Sequence, residues 1–62
     1  MNSGDRKQAA HYYLAKGYAQ IMKLQEAEDE FRTASEMTGP LGDASATLLG
    51  RLMTLRAQLG TK

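Results

Sequence analysis

The sequence contains no cysteine and only one histidine, His11. Disulfide bonds and the usual zinc sites need more ligands of these types, so neither can stabilise the fold. The 62 residues form at most one domain, which we place at 1–62. Because a single core in so short a chain rarely supplies more than about 3–5 kcal/mol, association with another chain is the expected further source of stability.

Groups that perform catalysis are also scarce. The sequence shows no paired carboxylates for acid–base chemistry, no nucleophile with a neighbouring base and no glycine-rich phosphate loop. We therefore predict that the chain is not an enzyme and binds no cofactor, metal or small-molecule substrate. His11 could act as a base or a pH switch, but without a second histidine or a cysteine we interpret it as a packing residue.

Long apolar runs are absent, and the N-terminus lacks the pattern of a signal peptide. These absences predict a cytoplasmic protein without a membrane partner. The formal net charge of +1 gives no general attraction for nucleic acid. Charge is nevertheless segregated, since residues 25–37 carry five acidic residues and one basic residue, whereas residues 1–24 and 38–62 are both basic.

Apolar residues in the first third recur at the spacing of one helical face. They predict helix one at about residues 6–22, with a core stripe that consists of Ala10, Tyr13, Leu14, Gly17, Tyr18 and Ile21. Asp5 followed by Gln8 resembles a capping box, and Ser3 is an alternative cap.

Two more helices follow. Helix two is predicted at about residues 25–37, because Gly39 and Pro40 cannot continue it. Helix three is predicted at about 43–59, with Asp43 or Ser45 as its cap and Gly60 as its end. The expected fold is therefore all-α, an antiparallel helix hairpin plus a third, capping helix.

Residues 11–40 resemble a tetratricopeptide repeat. Leu14, Ala15 and Tyr18 lie at the family's spacing in the first helix, and Ala27, Phe31 and Ala34 do so in the second. His11 stands where tryptophan is usual, Ala15 stands where glycine is usual, and Pro40 comes one residue late. Leu48 and Leu52 match the leucine and tyrosine positions of a following repeat, so helix three resembles the first half of an unfinished one.

This resemblance implies which residues pack and which bind. Ala15 and Ala27 would let two backbones approach closely, and the predicted core consists of Leu14, Tyr18, Ile21, Ala27, Phe31, Ala34, Leu48, Leu52 and Leu55. In tetratricopeptide proteins the face of the first helix that points away from the hairpin core lines a groove for an extended peptide. By that resemblance, Tyr12, Lys16 and Gln20 would contact a partner. A solvated face with an exposed tyrosine is the alternative.

Helix three carries a second apolar stripe, which one hairpin cannot cover. We expect Leu49 and Met53 to lie on an open surface that self-association or a partner helix would bury. Alternatively, a small core tolerates a few exposed apolar residues.

These patterns favour a protein-interaction module that self-associates or binds a helical partner or peptide, as a small co-chaperone or adaptor would. An accessory structural subunit, stable only within a larger complex, is the alternative. A regulator that binds nucleic acid through Tyr12 and Tyr13 is less favoured, because the acidic second helix opposes it.

Overall fold

The computed structural model describes residues 3–60, with side chains from Arg6 onward. It contains helix α1 (Ser3–Gln20), helix α2 (Leu24–Glu36) and helix α3 (Gly42–Gly60), and residues 3–60 include no strand. The predicted all-α, three-helix class is confirmed. The side chains of Ser3 and Asp5, the two predicted caps of helix one, lie outside the described part. No helix within this range combines the length and the apolar character needed to cross a membrane.

The turn between α1 and α2 places a methionine in the left-handed region, since Met22 has a φ of 64°. The Lys23 amide donates to the Tyr18 carbonyl at 2.9 Å, and the Met22 amide donates to the Ala19 carbonyl at 3.1 Å. These bonds form a Schellman motif, in which the left-handed residue is usually glycine. A non-glycine residue there costs about 1–2 kcal/mol, and the exposed Met22 side chain gains little from packing.

Helix α2 is the centre of the fold. It packs against both α1 and α3, whereas α1 and α3 touch each other at few points. The buried apolar residues are mostly small, and they comprise Ala15, Ala27, Phe31, Ala34 and Leu52. Ala15 and Ala27 are completely buried, which fits the close backbone approach expected of two alanines. Phe31 is the large residue in the middle, and Tyr12 packs edge-on against it with ring centroids 5.8 Å apart.

A buried glutamine fixes the position of α1 along α2. The Gln8 side chain is completely buried, and its amide nitrogen donates to the carbonyls of Ala34 at 3.0 Å and Met37 at 2.9 Å. Its side-chain oxygen accepts from the Leu41 amide at 3.1 Å. Gln8 therefore gives the Met37 carbonyl and the Leu41 amide their hydrogen-bond partner. It adds a second bond to the Ala34 carbonyl, which also accepts from the Met37 amide at 3.2 Å. Its predicted place in a capping box of helix one is wrong.

An ion pair and a histidine–carboxylate hydrogen bond connect α2 to its two neighbours within the described residues. The Arg56 guanidinium on α3 lies 2.6 Å from the Glu28 carboxylate on α2, and only 7% of the Glu28 side chain is exposed. On the other side of α2, His11 Nδ1 lies 2.5 Å from a Glu30 oxygen. The acidic α2 thus bonds to a nitrogen-bearing side chain on each neighbour, as the segregation of charge suggests.

The rotation of α1 about its own axis differs from the prediction. Leu14 and Ile21 were expected in the core, but 46% and 63% of their surfaces are exposed. The face that meets α2 instead carries Gln8, Tyr12, Ala15 and Ala19, with Tyr18 half-buried at its edge. Both faces of α1 have apolar residues at helical spacing. The face with the small residues packs because it allows the backbones to approach closely and lets Gln8 reach its three partners.

The positions of two residues on α3, Leu49 and Leu55, differ from the expectations. Leu48 and Leu52 pack toward the core, but Leu55 is 37% exposed and belongs to the rim of a groove. Leu49 was expected on an open surface, yet it packs against the core cluster. Met53 is exposed. Helix α1 does not cover α3 on its other side. Only the residues of α3 that face α2 are therefore buried.

Candidate peptide-binding groove

A groove runs between α1 and α3 above the central helix. It arises because both outer helices pack on α2 while scarcely touching each other. The cavity measures about 250 Å³, and its floor includes the Phe31 ring. Its walls consist of Lys16, Ala19 and Gln20 from α1 and of Leu48, Arg51, Leu52 and Leu55 from α3. The spacing of each set is that of one helical face, so each helix contributes a continuous wall.

The groove is apolar inside and basic at its rim. Leucine, alanine and phenylalanine side chains form most of the lining, with one cation from each wall, Lys16 and Arg51. None of the lining residues is acidic. A bound group would therefore meet apolar surface at the base and positive charge on both sides.

Two tyrosines hold the Lys16 side chain near the rim. Its ammonium nitrogen lies 5.5 Å from the centre of the Tyr12 ring and 5.8 Å from the centre of the Tyr13 ring. Those rings meet edge-on, with centroids 5.2 Å apart. Such cation–π contacts are worth about 0.5–1 kcal/mol at exposed sites, which restricts the lysine without neutralising its charge. Tyr12 itself is half-buried against Phe31, and it is not among the residues that line the groove.

The predicted partner-binding residues divide between several places. Lys16 and Gln20 line the groove together with three leucines that were expected to be wholly core, Leu48, Leu52 and Leu55. Leu49 faces the core and is not among the residues that line the groove. Met53 lies beside Glu28 and Arg56, in a shallow depression on a different side of α3.

Arg51 also lines the groove, but it was not among the partner-binding residues predicted from the sequence. Its signal was available in part, because Arg51 lies three residues after Leu48 and four before Leu55, on one face of the helix. A larger depression of about 550 Å³ runs along α3 between Thr47 and Gln58, but its lining comes from that helix alone. It has no second wall and is a less suitable binding site. Among the described residues, no group of three or more His, Asp or Glu side chains could hold a metal ion.

Comparison of the chain with protein-family models, curated protein sequences and solved structures finds no match. The likeness to a tetratricopeptide repeat therefore rests on the residues themselves.

Proposed function

We propose that this chain is a protein-interaction module whose groove binds a peptide segment that carries an apolar side chain next to a carboxylate. The observation that supports the proposal best is the lining of the groove, which combines Phe31 and three leucines with one cation on each wall, Lys16 and Arg51. An apolar side chain of the partner would lie on Phe31, and a neighbouring carboxylate would approach the two cations.

The two kinds of contact would contribute differently. Full burial of a leucine-sized side chain is worth about 1.5–3 kcal/mol. A partly exposed ion pair is worth about 0.2–1 kcal/mol. The apolar contact would therefore supply most of the affinity, while the cations would select acidic sequences and orient them. A single short peptide would bind weakly and reversibly, which suits an adaptor or co-chaperone.

The tetratricopeptide resemblance adds independent support. In that family the exposed face of the first helix lines the peptide groove, and here Lys16, Ala19 and Gln20 of α1 form one wall. The unfinished repeat implied by Leu48 and Leu52 would supply the opposite wall, which is where α3 lies. In this proposal the chain is a minimal groove of one and a half repeats.

Peptide titration would test this function. The probes are a peptide with one leucine flanked by aspartates and its lysine-flanked counterpart, measured by calorimetry and by amide chemical shifts. We expect the acidic peptide alone to shift groove residues, and Lys16→Glu/Arg51→Glu to weaken binding about tenfold. Arg32→Glu is the matched control, because Arg32 is an exposed cation on the outer face of α2.

Equal binding of both peptides, or an equal effect of Arg32→Glu, would contradict the proposal. Leu55→Ser adds a second probe, since Leu55 is at the rim and its loss removes apolar contact without opening the core. It should weaken the acidic peptide severalfold while leaving the helical content unchanged.

A second candidate is an accessory subunit that is stable only within a larger complex. The favouring observation is the small core, in which three of the five buried apolar residues are alanines. A chain of this kind would be largely unfolded alone, and circular dichroism of the isolated protein would distinguish the two. A thermal midpoint that rises with protein concentration would instead indicate self-association.

A further inference from the structure

The outer face of α1 carries an apolar stripe that nothing in the described chain covers. We call it the outer stripe, and it consists of Ala10, Tyr13, Leu14, Gly17 and Ile21. All five residues are exposed, including 61% of Tyr13 and 63% of Ile21. The spacing of the first four places them on one side of α1, away from the Ala15 face that packs on α2. Ile21 follows in the turn directly after α1. None of these five residues lines the groove, so the outer stripe is distinct from the proposed peptide site.

The small size of the glycine in the stripe is not required by any contact among the described residues. A Cβ atom added to Gly17 would meet no atom within 4 Å, so no packing contact in the described chain requires its small size. Glycine inside a helix is destabilising compared with alanine. It is useful where another backbone approaches closely, and Gly17 lies between the larger Tyr13, Leu14 and Ile21.

The charged side chains that residues 6–25 contribute are all cationic. They are Arg6, Lys7, Lys16 and Lys23, of which Lys16 also lines the groove. The acidic residues exposed on α2 are Glu26, Asp29 and Glu36. A surface that combines apolar residues with positive flanks fits a partner with an apolar face and negative flanks.

No other described surface of this chain has that character. A second α1 would bring cations against cations. The exposed leucines of α3, Leu55 and Leu59, follow Arg51 and Arg56 rather than acidic residues. The exposed face of α2 is acidic but has no apolar stripe. It consists of Gln25, Glu26, Asp29, Arg32, Thr33 and Glu36. The complementary surface must therefore come from a different protein.

We infer that the outer stripe docks an amphipathic helix of a partner protein, with the apolar side of that helix on Leu14 and Ile21 and its carboxylates beside the flanking cations. Gly17 allows the partner backbone to approach α1 closely. With a peptide in the groove and a helix on the outer stripe, the chain would connect two partners.

Binding of designed helices tests this inference. The probe is a synthetic helix with a leucine face and glutamate flanks, compared with the same leucine face between lysine flanks, by fluorescence anisotropy and amide chemical shifts. We expect the glutamate-flanked helix to shift residues of the outer stripe and to bind about tenfold more tightly than its counterpart. Leu14→Gln/Ile21→Gln should lower its affinity about tenfold, whereas Leu59→Gln, on the exposed end of α3, should not.

A second variant separates docking from folding. Gly17→Gln places a side chain in open space, so it should raise the thermal midpoint of the protein while weakening the helix probe by a factor of about ten. Arg51→Glu alters only the groove and should leave this probe unaffected. The inference would be overturned by loss of binding in Arg51→Glu or by equal binding of the two helices. Two other results would overturn it as well. One is a wild-type protein that forms an oligomer which Leu14→Gln/Ile21→Gln dissociates, and the other is binding of the wild type to anionic vesicles that the same variant abolishes.

Discussion

The Leu41 amide donates a hydrogen bond to the Gln8 side-chain oxygen at 3.1 Å, across 33 positions of sequence. The same side chain donates to two carbonyls at the end of α2. One buried residue of α1 thereby holds α2 and the turn before α3 in a fixed relation. A helix hairpin with small contact residues needs such a connection, because alanines alone specify the position of α1 along α2 only weakly.

Replacement of Gln8 should therefore be costly. Gln8→Ala leaves the Met37 carbonyl and the Leu41 amide without their partner, at about 1–3 kcal/mol for each group that water cannot reach. Gln8→Glu is nearly isosteric, but its carboxylate would face the Ala34 and Met37 carbonyls. We expect both variants to lose more than about 2 kcal/mol of unfolding free energy in urea titrations. Gln25→Ala, at an exposed site on α2, should change it by less than about 0.5 kcal/mol.

The ion pair between Glu28 and Arg56 predicts unequal effects of its two deletions. Arg56→Ala leaves the buried Glu28 carboxylate without its cation, whereas Glu28→Ala leaves Arg56 able to turn into water, since 44% of its side chain is exposed. After allowance for that exposure, we expect Arg56→Ala to cost about 1–2 kcal/mol and Glu28→Ala less. A double-mutant cycle by urea denaturation would measure the coupling. Equal costs would contradict the burial of the carboxylate.

The left-handed Met22 predicts a stabilising substitution. Met22→Gly removes the side chain that makes a φ of 64° unfavourable. It should therefore raise the unfolding free energy by about 1 kcal/mol. Met53→Gly is the matched control, because Met53 is also exposed but lies inside α3. There glycine should lower stability by about 1 kcal/mol, so thermal melts of the two variants should shift in opposite directions.

The rotation of α1 can be tested by comparing Ile21 with Leu52. Ile21→Ser changes an exposed residue and should alter stability by less than about 0.5 kcal/mol. Leu52→Ala removes apolar groups from a buried position beside Phe31, which should cost about 2–4 kcal/mol. Denaturant midpoints would distinguish them. A large loss of stability in Ile21→Ser would contradict the exposed position of Ile21 and favour the core face predicted from the sequence.

The sequence predicts the three helices well because the signals at their ends are local. Gly39 and Pro40 follow α2 closely and prevent its continuation whatever the surrounding structure does. The face of α1 could not be predicted in the same way, since its outer stripe has larger apolar residues than the face that packs. The choice depends on contacts with Ala27 and on the partners of Gln8, which lie far away in sequence.

Only the wall of the groove that α1 forms was predicted from the sequence. Lys16 and Gln20 were assigned to a partner surface because the tetratricopeptide resemblance specifies that face of the first helix. Arg51 belongs to the same site only because α3 lies beside α1 across α2. That arrangement depends on how α3 packs on α2, and no local pattern around Arg51 encodes it.

The position of Gln8 also bears on what sets the width of the groove. Its bonds join α1 to the turn before α3 at one end of the molecule, and the groove lies several turns away, around Lys16 and Leu55. Beyond that end, α1 and α3 scarcely touch each other, and each packs on α2 instead. The width of the groove is therefore set by how each outer helix packs on α2, and not by contacts between α1 and α3.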